Sequence, residues 1–231
     1  MRSKYKVLRY TPNDKMSDLI CDNYTMLFIL NRFGIDMGFK ELTIAEVCDN
    51  YQIDVSTFLA IVNLLISKDK KGVYTDSISL NSLLDYLYKS HAYFLDYKLP
   101  NIRKRLLKAI PGSDALSIAA LNYYDEYIAE VRKHMEYEEN TVFKYVNNLL
   151  AGKSDNKFYI DMFSDHHEGM ESKLTELKNI IIKYYPVAST NELSSVLFDI
   201  FSCESDLLSH SEIEDYILIP AIRAVEKEQR G

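Results

Sequence analysis

The chain has no tryptophan, and among its 231 residues only seven glycines, five prolines and three cysteines. Each scarcity excludes something. Cys21, Cys48 and Cys203 are odd in number and far apart, so they do not form a disulfide framework and suit a reducing compartment. So little glycine and proline leaves few tight turns, and alternating apolar and polar residues are hard to find. An all-α protein of long helices is expected. No apolar run approaches the ~18–20 residues of a spanning helix. Met1-Arg-Ser-Lys-Tyr-Lys6 leads into no signal-like stretch, which predicts a cytoplasmic protein with no membrane partner. Acidic residues outnumber basic ones, 34 to 27, and the net charge of −7 argues against nonspecific nucleic-acid binding. No glycine-rich phosphate loop occurs, so nucleotide-phosphate chemistry has no foothold. What remains is a globular composition, 47% hydrophobic and 26% charged, sufficient for one good core and a small second module.

Residues 1–67 read as a small three-helix N-terminal module. A first helix is predicted over residues 17–33, with Leu19, Ile20, Tyr24, Leu27, Phe28 and Leu30 at helical spacing and Gly34 as the stop. Thr43-Ile-Ala-Glu46 has the form of a capping box opening a second helix, and Asp54-Val-Ser-Thr57 opens a third. Residues 68–78, charged and containing Gly72, form a linker. Residues 79–231 read as four long helices, at about 79–110, 115–150, a third ending at Pro186, and 189–227. Pro100 is expected to disturb the first of these a few turns past His91. Short connections between long helices imply an antiparallel up-down four-helix bundle.

Every histidine in the chain falls in this bundle, and each of the four helices carries at least one on its apolar stripe. Leu84, Leu87, His91, Phe94, Leu99, Ile102 and Leu106 make the first stripe. The second runs through Tyr127, Val131, His134, Glu138, Tyr145 and Leu149. His167 lies with Leu174, Leu177 and Ile181 on the third. The fourth contains Val196, Ile200, Cys203, Leu207, His210, Glu214 and Ile217. In His134-Met-Glu-Tyr-Glu138 and His210-Ser-Glu-Ile-Glu214 an imidazole and a carboxylate stand one helical turn apart on the same face. A buried carboxylate needs a cation beside it. A single histidine on an apolar face is more often a satisfied core residue than a ligand, but four helices converging in this way point to a metal. Imidazole with carboxylate suits iron or manganese, with zinc as a further option.

The spacing distinguishes among bundle metal sites. No histidine follows an acidic residue by three positions, so the Glu-x-x-His pattern of ferritin-like di-iron bundles is absent. His-x-x-x-Glu occurs twice instead. His134-Met-Glu-Tyr-Glu-Glu-Asn-Thr-Val-Phe143 and His210-Ser-Glu-Ile-Glu-Asp-Tyr-Ile-Leu-Ile-Pro220 resemble the second-helix and fourth-helix motifs of hemerythrin-like (HHE cation-binding) proteins. Ser90-His91 followed by Lys98-Leu-Pro-Asn-Ile-Arg103 is similar to their first helix. Phe33-Gly-Ile-Asp36, Leu42-Thr-Ile-Ala-Glu-Val-Cys-Asp49 and Ile53-Asp54 resemble the helical module that precedes this domain in the iron-sulfur cluster repair proteins. There, however, a Cys-Cys pair follows the aspartate, and here Met37-Gly38 stands in its place.

The resemblance implies two iron ions with an oxo or hydroxo bridge, His91, His134, His167 and His210 as terminal ligands, and Glu138 and Glu214 as bridging ligands. Adjacent helical residues point about 100° apart, so only one of His166 and His167 faces the site. His167 shares the apolar stripe, leaving His166 to flank the site or meet solvent; the resemblance, whose oxygen-carrying members use five histidines, adds the option of His166 as a fifth ligand. Glu130, one turn before His134, is either a carboxylate behind the ligands or part of a solvated face. Tyr127, Tyr145 and Tyr216 are core residues or hydrogen-bond donors near the site. The basic stretch Asn101-Ile-Arg-Lys-Arg-Leu-Leu-Lys108 reads as an ordinary charged helix face. The resemblance further implies a role in nitrosative or oxidative stress. That role would be iron-sulfur cluster repair by iron delivery or nitric oxide handling, with damaged iron-sulfur proteins, nitric oxide and oxygen as partners and a homodimer as the assembly. The absent Cys-Cys favours the alternative of a noncatalytic sensor or store of oxygen, nitric oxide or iron.

Overall fold

The computed structural model describes residues 9–67, 77–110, 112, 115–153, 160, 170–184 and 191–230. Their regular structure is helical, with no strand among them and one isolated bridge between Lys15 and Thr43. The chain divides into two compact units, one of residues 1–89 and 212–231 and the other of residues 90–211.

In the first unit, the helix predicted over residues 17–33 is two helices, α1 (Met16–Asp22) and α2 (Met26–Phe33). The break falls at Asn23-Tyr-Thr25, where periodicity alone missed three poor helix formers in succession. Asn23 leaves helical geometry while its N–H still donates to the Leu19 carbonyl at 3.0 Å, closing the last turn of α1. Gly34 ends α2 in the left-handed conformation at φ 72°, which its lack of a Cβ permits. α3 (Ile44–Asn50) carries the expected capping box, with Glu46 N–H donating to Thr43 Oγ1 at 3.2 Å and Thr43 N–H to Glu46 Oε2 at 2.7 Å. Asp54 caps α4 (Val55–Ile66) by accepting from Thr57 N–H at 2.8 Å. Asn63, buried on α4, holds the incoming chain through paired hydrogen bonds with the backbone of Tyr10. Phe33 packs against both Phe58 and Tyr86, and Arg32 donates to the Tyr86 hydroxyl.

The first, second and fourth long helices are continuous but not regular. The first runs through α5 (Leu80–Ala92), a π-helical turn π1 (Tyr93–Lys98) and α6 (Leu99–Ala109). The second runs through α7 (Ala115–Tyr137), π2 (Glu138–Phe143) and α8 (Lys144–Leu150). α9 (Met170–Tyr184) belongs to the third. The fourth comprises α10 (Asn191–Ile213), π3 (Glu214–Leu218) and α11 (Ile219–Arg230). The expected disturbance at Pro100 is therefore a π turn. Pro100 and Pro220 each occupy the second residue after one, where widening of the preceding turn accommodates a ring that lacks an N–H and crowds the carbonyl behind it. π2 has no proline. There the Asn140 amide donates to the Glu136 carbonyl at 2.7 Å, competing with the α-helical bond that this carbonyl would otherwise accept.

The stripes read from the sequence meet in the core of the second unit. Phe94, Leu99, Ile102 and Leu106 pack with Tyr124, Tyr127, Val131 and Met135, with Leu174, Leu177 and Ile181, and with Val196, Ile200 and Cys203. The buried Tyr124 hydroxyl donates to the Leu99 carbonyl at 3.2 Å. The basic stretch on α6 is paired across the surface, Arg103 with Asp125 of α7 through two 2.9 Å bonds and Arg105 with Asp199 of α10. The Arg103 guanidinium holds the Asp125 carboxyl below its usual range.

Candidate metal site

His91 sits in the last turn of α5, two residues before π1, and Glu138 is the first residue of π2. His210 lies in the last turn of α10. Apolar residues three and four positions away turn all three inward, and each is almost completely enclosed, with exposures of 1%, 0% and 2%. Their ligand atoms lie within 4.8 Å of one another.

The Glu138 carboxylate divides itself between two imidazoles. Oε1 lies 2.8 Å from His134 Nε2 and Oε2 lies 3.2 Å from His91 Nε2. The latter nitrogen is in turn 3.1 Å from His210 Nε2. Phe143 stacks on the His91 ring at 5.3 Å, and Phe94 meets His210 edge-on. Four of the residues singled out in the sequence, His91, His134, Glu138 and His210, are thus brought together in the second unit. Glu214 lies one turn beyond His210 on the same helical run, at the start of π3, and is fully buried. Glu138 and Glu214 therefore occupy equivalent places, each the first residue of a π turn, four positions after a histidine.

His166 and His167 lie outside the described residues, as does Pro186, the expected end of the third helix. Glu130 is exposed and pairs with Lys173 of α9. Tyr127 and Tyr145 are buried, burial of Tyr127 driving its hydroxyl pKa upward, whereas Tyr216 is exposed. Two further contributors carry no histidine-type signal. Phe143 supports the His91 ring, and Glu139 reaches its Nδ1 at 2.9 Å. The Glu138-Glu139 doublet was visible in the sequence. That its members would address opposite nitrogens of one ring depends on contact with another helix, which the sequence of π2 alone does not specify.

Beside His134 and His210 is a small cavity of about 30 Å³, lined by Tyr127, Val131, Met135, Leu174, Leu207, Leu208, Glu204 and Ser211. It is mostly apolar and has room for a molecule on the scale of one water.

The donor set fits a transition metal. Three imidazoles and a carboxylate converge where little water enters, and a buried carboxylate is stabilised by cations. Neutral imidazole and carboxylate are the borderline and hard donors that iron accepts. One oxygen facing each of two imidazoles is also the arrangement a carboxylate shared between two cations requires.

A helical bundle with inward-facing histidines and glutamates defines a metal-binding class. The family model described as the hemerythrin HHE cation-binding domain matches residues 82–228, more than half of the chain, and the chain belongs to that family. No curated protein shows a significant match to it. Among the described residues, no helix is long and apolar enough to cross a membrane.

Proposed function

We propose that the bundle holds a pair of iron ions through His91, His134, Glu138, His167, His210 and Glu214, and that the pair acts in the response to nitrosative or oxidative stress. The observation that carries this reading is the convergence of His91 and His134 on the two oxygens of buried Glu138, with His210 Nε2 3.1 Å from His91 Nε2. Iron would supply reversible one-electron chemistry and a position for a small ligand. The chain's own contribution is to orient the imidazoles, neutralise part of the charge with carboxylate and limit entry of water. The small apolar cavity beside His134 and His210 favours a neutral diatomic ligand such as nitric oxide or oxygen over a charged or extended substrate. Damaged iron-sulfur proteins are the macromolecular partners this role would require, and a homodimer is the proposed assembly.

A second reading, a noncatalytic sensor or store of oxygen, nitric oxide or iron, is favoured by one feature of the N-terminal module. Met37, 62% exposed, and Gly38 occupy the place of the Cys-Cys pair in the iron-sulfur cluster repair proteins. Cys48 does not substitute for it. Cys48 is buried, and burial together with the Asp54 charge pushes its thiol up to about 12, far from the thiolate that metal binding and redox chemistry need.

Two assays on iron-loaded protein separate the readings. Catalytic consumption of nitric oxide by the reduced protein, or reactivation of a cluster-damaged dehydratase, supports the active role. Stoichiometric binding without turnover and without reactivation supports the sensor or store.

A further inference from the structure

We infer that Glu139 is a positioning residue for His91, setting how strongly that imidazole binds metal. The inference rests on the proposed iron site and specifies how one ligand is prepared for it. His91 is clamped by two consecutive residues of π2. Glu138 Oε2 is 3.2 Å from Nε2, and Glu139 Oε1 is 2.9 Å from Nδ1 on the opposite side of the ring. Phe143, from the same π turn, covers one face of the ring at 5.3 Å with the planes inclined by 22°. The ring is therefore fixed in position and rotation by a single short segment.

The chemistry of imidazole assigns the two sides different tasks. A histidine ligand binds through a nitrogen lone pair and carries its proton on the other nitrogen. With Glu139 accepting from Nδ1–H, the lone pair is on Nε2, the atom that faces Glu138 and His210. A carboxylate accepting that proton also makes the imidazole more basic and hence a stronger donor to a cation. The two glutamates differ in setting as their tasks require. Glu138 is fully buried at the ligand side, whereas the Glu139 side chain is 36% exposed and keeps part of its contact with water.

Anaerobic titration with ferrous iron, using a competing chelator, tests this on wild type, Glu139→Ala and Glu139→Gln. Glu139→Ala should lower the affinity of the His91 iron about 10- to 100-fold, as loss of such a supporting carboxylate does elsewhere, and should raise the midpoint potential of the bound iron. Glu139→Gln retains a neutral acceptor and should recover part of the affinity. The metal-free variants should melt as wild type does, which separates ligand positioning from a structural defect. Equal iron affinity and potential in wild type and Glu139→Ala would overturn the inference while leaving the iron site standing. A wild type that binds no iron would instead overturn the proposed function on which it rests.

Discussion

The N-terminal helices and the histidine-bearing helices obey different rules. In the first group several helix ends fall where a local signal says they should. Thr43 and Glu46 close a capping box, Asp54 caps α4, and Gly34 takes the left-handed turn. In the second group the first, second and fourth long helices pass through π turns that begin at Glu138, at Glu214 and two residues beyond His91. Regularity is given up next to the candidate ligands and kept away from them. π turns recur at functional sites because the wider turn redirects side chains that an unbroken α-helix would send elsewhere. A stability-bearing region and a site-bearing region can thus be told apart by where the backbone departs from its default.

That contrast can be broken by mutation. Phe58→Ala, in the core against Phe33, should cost about 3–5 kcal/mol in chemical denaturation. The variant should still take up iron under conditions where it remains folded. Iron loss in folded protein would show that the N-terminal core supports the site. Asn140→Ala removes the side-chain bond to the Glu136 carbonyl that competes with α-helical pairing at π2. We expect a several-fold weaker iron affinity, about 1 kcal/mol, with a nearly unchanged melting temperature of the metal-free form. The reverse pattern would make π2 a structural accident. Thr43→Ala should cost about 1 kcal/mol by loss of the cap and leave iron content as in wild type.

Cys48 sharpens the comparison through pH. Its thiol rises from 9.0 to about 12 on folding. Below pH 9 both folded and unfolded forms carry the proton, so stability is unaffected. Between about 9 and 12 only the unfolded chain ionises, so stability should fall as pH rises through that window. Cys48→Ala should reduce the slope of the denaturation midpoint against pH, without abolishing it because burial also raises Tyr124 and Tyr127. An unchanged slope would contradict the assignment. In the native protein exposed Cys21 should react with iodoacetamide at pH 8 while Cys48 resists.

Much of this was legible in the sequence because helical periodicity is a local property. The stripes through His91, His134 and His210 predicted the buried core and placed Glu138 and Glu214 beside their histidines. The capping box at Thr43 was equally local. Three things were not legible. The break at Asn23 falls at three poor helix formers within a pattern whose apolar spacing continued across it. The π turns kept the apolar faces buried, so the stripes gave no sign of them, and Pro100 announced only that something must yield. Glu139 was hidden for the opposite reason, since its role lies in a contact with a residue 48 positions away.

The most direct test of the central claim is metal content of anaerobically purified protein, wild type beside Glu138→Ala. Glu138 presents one oxygen to each of two imidazoles, so the proposed iron pair should depend on it strongly. We expect about two irons per chain in wild type and a loss of the pair in the variant, which should remain helical by circular dichroism. A wild type that stays metal-free after reconstitution with ferrous iron, or a Glu138→Ala protein that retains both ions, would contradict it.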